Sequence, residues 1–213
     1  MTSGAGVVLD ATARPCLFDV VSKGELTRET IVVQGAEIAS RIGLAALTIG
    51  QLAGRVEMSK SGLFGHFRSK EILQLRVLEY ARERFAAQVV RPALRVARGE
   101  PRVRTLFENW LACGRRGDPS CLFLSAVMEY DDQPGVIHDE LVSAHRDLMD
   151  AIVQVFRTGI AEGDFRRDAD PDQFAQDLYG VMLAFAYSHR LLRDAAAETR
   201  TRRAFEALLG SAR

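Results

Sequence analysis

The segment from Thr48 to Lys70, TIGQLAGRVEMSKSGLFGHFRSK, leaves the chain few ways to fold. Ile49, Leu52, Ala53 and Val56 recur at i, i+3, i+4 and i+7, which places four apolar side chains on one face of a short helix. Thr48 stands just before that run, where its hydroxyl can cap free backbone N–H groups. Ser59 is a second capping residue and opens a segment whose apolar side chains are Leu63, Phe64 and Phe67. Ser69 caps a third, longer helix, and Glu71 in its first turn complements the helix dipole. Helix, tight turn, helix and a new helix within about twenty residues is the spacing of a helix-turn-helix unit. Charge agrees with that reading. From Arg41 to Arg76 there are six bases (Arg41, Arg55, Lys60, Arg68, Lys70, Arg76) against two acids (Glu57, Glu71), a net of +4, in a chain whose 28 basic and 28 acidic residues cancel.

The compensating charge lies further on. Gly117 to Arg190 holds 14 acids and five bases (Arg146, Arg157, Arg166, Arg167, Arg190), a net of −9. A basic N-terminal module on an acidic body suits a protein that lays one end on a polyanion. Strand-like alternation is scarce, and plentiful alanine and leucine lean helical. The longest apolar run, Val181 to Tyr187, is far below the roughly 20 residues of a membrane span. No charged region followed by an apolar one opens the chain, so a secretory signal is not expected and a cytoplasmic location is.

At these residues a family can be named. Thr27-Arg28-Glu29-Thr30-Ile31, the small apolar run to Gly43, Thr48, Leu52-Ala53, Ser59-Lys60, Leu63-Phe64, His66-Phe67 and Ser69-Lys70-Glu71 closely resemble the N-terminal domain of TetR-type transcriptional regulators. Three positions depart from the family pattern. Glu57 stands where a turn glycine is usual and asks for positive φ at a non-glycine residue, Phe64 replaces a tyrosine, and Gly65 leaves its position bare. The resemblance implies an all-α protein with a three-helix helix-turn-helix DNA-binding domain and a C-terminal helical domain for ligand binding and dimerisation. The divisions are a weakly ordered extension over 1–24, the DNA-binding domain over 25–75 and the effector and dimerisation domain over 76–213. Within the extension, Val7-Val8-Leu9 and Leu17-Phe18 are apolar pieces with no assigned partner.

Contacts to double-stranded DNA are expected from Thr48, Ser59, Lys60, Ser61, Gly62, Phe64, His66 and Lys70. Thr48 and Ser59 would donate to phosphates as well as cap, and Lys60 offers a flexible cation to a phosphate or a guanine edge. Glycine inside a helix costs roughly 1 kcal/mol relative to alanine. Gly62 and Gly65 therefore need a reason, either close approach to DNA or tight packing on the preceding helix. Arg28 reads equally as a phosphate contact or a solvated helix charge.

Helices are expected over about 25–42, with Ile31, Gly35, Ile38 and Ile42 inward, and over 71–98, with Leu73, Val77, Tyr80, Ala81, Phe85, Val89 and Leu94 inward and a kink or a split near Val90 caused by Pro92. Further helices follow at about 102–113, 121–130, 136–162, 171–194 and 198–209. The stretch Cys121 to Gly135 resembles one recurrent C-terminal type of the family. The helices at 136–162 and 171–194 carry more apolar residues than one core face requires. The resemblance implies a twin subunit there, with Gly180, Ala184 and Ala186 permitting close approach, and truncation of Leu178 or Phe185 is expected to disturb folding or dimerisation.

The family pattern also implies a small apolar or amphipathic effector. Phe107, Trp110, Cys113, Phe123, Met128, Tyr179 and Phe185 are its candidate lining, with Glu129, Tyr130 and His189 as polar anchors. Ordinary core packing is the competing reading for that set. A repressor that leaves a palindromic operator on binding effector is the leading function. The alternatives are an effector-independent DNA-binding protein or a helical protein-interaction module. No GxSxG elbow, P-loop or GxGxxG fingerprint supports an enzyme, and no cofactor is called for. His138 and His145 lie seven apart, unlike the i, i+4 pairs zinc favours, so no metal is assigned. Cys16, Cys113 and Cys121 form no CxxC pair; reduced thiols are expected, with Cys113 and Cys121 in the core and a thiol-sensing role left open.

Overall fold

Helix α1 (Lys23–Ile42) begins what the computed structural model describes, residues 23–213. The expected extension, with Cys16, thus lies outside the described residues except at its last two positions. Ile31, Val32, Ala36 and Ala39 form the buried stripe of α1, and Ile42 is 45% exposed rather than inward. Ile42 follows the same apolar spacing, but it sits in the last turn, beyond the reach of the elements that cover the stripe.

Helices α2 (Ile49–Arg55) and α3 (Lys60–Phe67) pack as the apolar spacing requires, through Ile49, Leu52, Ala53, Leu63 and Phe67. Each start is capped as expected. Thr48 Oγ1 accepts from the Gln51 N–H while Gln51 returns its side-chain oxygen to the Thr48 N–H, closing a capping box. Ser59 Oγ accepts from the Gly62 N–H, and Ser69 Oγ from the Ile72 N–H. Glu57 adopts φ 54°, the positive value its place in the turn demands.

Helix α4 (Lys70–Phe85) joins this head to the body. It runs through a widened π turn (Ala86–Val90) into α5 (Arg91–Leu94). Pro92 lacks an N–H and its ring would strike the carbonyl four residues back, so the turn widens just ahead of it. The expected helix to residue 98 stops at Leu94, which is 46% exposed rather than inward.

The body is built from α6 (Glu100–Arg116), α7 (Leu122–Tyr130), α8 (Val136–Glu162), α9 (Pro171–Ala186) and α10 (Ala197–Ala212). Helix α8 is the central post, packed against α4, α6, α7 and α9. Helix α9 ends earlier than expected and continues as a π turn over Tyr187–Leu191. Helix α10 packs on α9 and is tied to α6 by the Phe107–Phe205 stack (3.8 Å between centroids) and by Arg104–Glu206 and Arg115–Glu198 ion pairs. There is no strand among the described residues.

The body absorbs more apolar surface than the sequence reading allowed. Ile137, Leu141, Leu148, Ile152, Val153, Val155 and Phe156 of α8 are all buried within the chain. Leu178 and Phe185 are also fully buried, so they belong to this core and not to an exposed face of α9.

Candidate nucleic-acid interface and effector cavity

Leu63 and Phe67 pin α3 to the head, which turns the opposite side of the helix outward. That outward side carries Lys60, Ser61, Phe64 and Gly65, all exposed, with His66 half-buried at its edge. Phe64 is 53% exposed, so it is a surface aromatic and not part of the apolar packing of the segment. A Cβ built on Gly65 meets nothing within 4 Å, and one on Gly62 meets only the Ser59 hydroxyl and Met58. Packing on the preceding helix therefore does not explain either glycine. The surface they leave bare faces outward, where a polyanion can approach the backbone.

The other expected contacts are placed nearby but partly engaged. The Thr48 and Ser59 hydroxyls both serve caps, and Ser59 also meets Ser61 at 3.1 Å. Lys60 leans over Gly50, where a Cβ would lie 3.3 Å from its Cε. Lys70 donates its ammonium to the Ala45 carbonyl at 2.7 Å and so braces the α1–α2 turn. A concavity of about 220 Å³ beside α3 gathers Arg28, His66, Arg68 and Arg76. The sequence reading counted Arg68 and Arg76 only as charge. Their convergence with Arg28 depends on how α1 crosses α4, which no local spacing encodes.

Head and body meet at the α1–α2 turn. Gly43 ends α1 with φ +93°, and the next two N–H groups point into the body. There Glu129 of α7 accepts from both, Leu44 N–H at 3.1 Å and Ala45 N–H at 2.7 Å. Gln74 of α4 donates to the Leu44 carbonyl at 2.7 Å. A Cβ on Gly43 would lie 2.8 Å from Glu129 Oε2, so this turn needs glycine for space as well as for its dihedral. Glu129, expected as a ligand anchor, instead holds the head.

Tyr130, the next residue on α7, faces a cavity of about 470 Å³ between α7, α8 and α9. Leu141, Val142, Met149, Tyr179 and Leu183 add apolar wall, and Asp131, His138 and Gln176 lie among its polar lining. His145 also lines it. Its Nδ1 donates to the Leu141 carbonyl at 2.8 Å, which leaves Nε2 as a bare acceptor, buried and with no partner among the described residues. Burial pushes the His145 pKa down and those of Tyr130 and Tyr179 up, so all three are neutral at pH 7. The inner wall thus favours an uncharged or weakly polar occupant.

Of the ten residues expected at an effector, only Tyr130 and Tyr179 line this cavity. Trp110 and Phe123 stand behind it, edge-on to Phe85 and against Tyr179 and His145. Phe107 stacks on Phe205, Phe185 stacks on His189, and Met128 is 73% exposed. Cys113 is buried beside Cys121. Helical spacing gave the apolar character of these residues but not which stripe borders the gap.

Comparison with known proteins agrees with the architecture. The family described as bacterial regulatory proteins, tetR family, matches residues 31–77, and the tetracyclin repressor-like C-terminal domain matches residues 99–205. A TetR transcriptional regulator from Chloroflexus aurantiacus is 25% identical, with a TM-score of 0.75 over 88% of this chain and 94% of that one. A TetR-family regulator from Cytophaga hutchinsonii superposes with a TM-score of 0.78 at 19% identity, over 90% of this chain and 96% of that one. AibR, solved with isovaleryl coenzyme A and operator DNA, shares the fold at 19% identity and a TM-score of 0.64, over 76% of this chain and 85% of that one. No curated protein matched the sequence.

Proposed function

The chain belongs to the TetR family of bacterial regulatory proteins, a DNA-binding transcriptional regulator and not an enzyme, and from that premise we propose that it is an effector-released repressor acting as a homodimer. The observation that carries this reading is the hydrogen-bonded seam at Glu129. One residue of α7 grips the head, and its neighbour Tyr130 forms the wall of an apolar cavity. An occupant that displaces α7 moves the acceptor on which the α1–α2 turn depends, and with it the angle at which α3 is presented. The effector we propose is small, apolar or amphipathic, and seated between α7, α8 and α9.

A second copy of the chain is the partner proposed for α9. Gly180, Leu183, Ala184, Tyr187 and Leu191 recur at i, i+3, i+4, i+7 and i+11, and all five are exposed. An apolar stripe of that length on the outside of a monomer calls for a partner surface. Two heads related by a two-fold axis would read half-sites about one helical turn or more apart. Lys60, Ser61, Gly62, Phe64 and His66 are the proposed reading surface, with Thr48, Ser59 and Lys70 at its margin and Arg28, Arg68 and Arg76 on flanking phosphates. A cytoplasmic location fits this role, and no described helix is long and apolar enough to cross a membrane.

Selection of bound fragments from a random duplex pool tests the reading. The expected product is one inverted repeat; recovery of single half-sites alone would overturn the dimer, and recovery of no preferred sequence would overturn the operator.

A further inference from the structure

Two thiols that sequence spacing did not pair are in contact in the fold. Cys121 donates its S–H to the Cys113 sulfur at 3.3 Å, across the turn between α6 and α7. A disulfide requires about 2.05 Å, so the two sulfurs need to close by only about 1.3 Å. The pair is set in a polar pocket of its own. Ser120 Oγ lies 2.7 Å from the Cys113 sulfur. Gln88 satisfies Arg84 when its amide oxygen faces the guanidinium, and its NH₂ then lies 3.9 Å from the same sulfur. Cys113 thus sits in hydrogen-bond contact with Cys121, Ser120 and Gln88 and is buried, while Cys121 is half-buried.

We propose that Cys113 and Cys121 are a dithiol modification site, converted by hydroperoxides into a reversible intrachain disulfide that weakens DNA binding. The thiolate of one of the two cysteines attacks a peroxide oxygen: an S–O bond forms, the O–O bond breaks, and the departing alkoxide takes a proton. The other cysteine, deprotonated in turn, attacks the oxidised sulfur: the S–S bond forms, the S–O bond breaks, and hydroxide leaves as water. Two thiols and one hydroperoxide become one disulfide, one alcohol (water, when the oxidant is hydrogen peroxide) and one water. The hydrogen bond from Cys121, helped by that of Ser120, holds the Cys113 pKa below its ordinary value against the opposing effect of burial. The hydrogen bond to Cys113 and burial push that of Cys121 up. The contact between the two thiols is what lets either one resolve the other.

Oxidation reaches the head through the turn itself. The short Pro119–Cys121 turn packs against both α1 and α4. Asp118, which caps it, grips Arg84 of α4 through two hydrogen bonds of 2.9 and 3.1 Å. Drawing Cys121 toward α6 pulls that turn away from the two helices that position α2 and α3. This coupling rests on the DNA-binding reading above; the disulfide does not.

The test treats the wild-type chain and Cys16→Ser with hydrogen peroxide, blocks free thiols, and identifies linked peptides by mass spectrometry. The same samples are titrated onto a duplex selected from the random pool. Expected are a Cys113–Cys121 peptide reversed by dithiothreitol in both proteins, and affinity about tenfold lower in the oxidised state, within the usual range of coupling between sites. Cys121→Ser should give no such peptide and keep its affinity after peroxide. Recovery of both thiols in the blocked form, or linkage only through Cys16, would overturn the site. A Cys113–Cys121 bond with unchanged affinity would overturn the coupling. Failure of the reduced protein to bind any duplex would instead count against the DNA-binding reading, with the peptide result still deciding the site.

Discussion

Gly43 and Gly65 sit in opposite surroundings. Gly43 is confined, with a left-handed φ and Glu129 pressed against the place a Cβ would occupy. Gly65 is unconfined, lying mid-helix with open space around it. Alanine at residue 65 should therefore raise the stability of the folded head by roughly 0.5–1 kcal/mol, because a helical glycine gives up more chain entropy than alanine. The same substitution should weaken operator binding. Urea denaturation and fluorescence anisotropy measure the two effects separately, and a Gly65→Ala protein that binds as well as wild type would remove α3 from the interface. Asp118 offers a test in acid. Burial would raise its pKa, but Arg84 and Ser120 outweigh that effect and hold it well below the usual carboxylate range. The unfolded carboxyl takes up a proton near pH 3.9, where the folded one does not, so this contribution is full at neutral pH and is lost as pH falls below about 4. Asp118→Asn should accordingly be less stable than wild type at pH 7, with the gap narrowing in acid denaturation series below pH 4. A gap that stays constant down to pH 2 would mean the Arg84 contact contributes little.

At the scale of elements, local chemistry fixed more than tertiary placement did. The ends of α8 were legible because Pro134-Gly135 and Gly163 bracket it, and the bounds read from sequence are those observed. The caps at Thr48, Ser59 and Ser69 were legible for the same reason: a hydroxyl meets N–H groups two or three residues away. Ile42 and Leu94 were misplaced because a 3.6-residue period marks an apolar stripe without showing how far its cover extends. The roles of Glu129 and of the thiol pair were invisible, since each depends on which helices cross. Helix α9 shows both sides of this. Its inner face, with Leu178 and Phe185, closes the core, and its outer stripe, continued through the π turn to Leu191, is the face proposed for a partner. Leu191, 71% exposed, is the residue to change there. Leu191→Glu should leave helicity and the denaturation midpoint within about 0.5 kcal/mol of wild type, as expected of a surface change. It should also shift the species seen by light scattering from dimer to monomer. A mutant that stays fully dimeric would move the interface off this stripe.

Charge is uneven along the whole chain without dividing by domain: residues 25–75 hold six bases and five acids, and residues 76–213 hold 20 bases and 21 acids. The head gathers cations on and beside α3, the carboxylates concentrate over residues 117–190, and hydrogen bonds around residues 43–45 form part of the seam between head and body. Such a placement of cations suits a polyanion at the α3 end. It also makes binding sensitive to ions, because each phosphate neutralised by a cation releases condensed counterions. The most direct measurement is the affinity for the selected duplex over a series of salt concentrations, with wild type and Lys60→Ala compared. The account predicts a steep linear fall of log K with log[salt] for wild type, and for Lys60→Ala weaker binding with a slope shallower by about one. Binding indifferent to salt, or the same slope and affinity in both proteins, would contradict it.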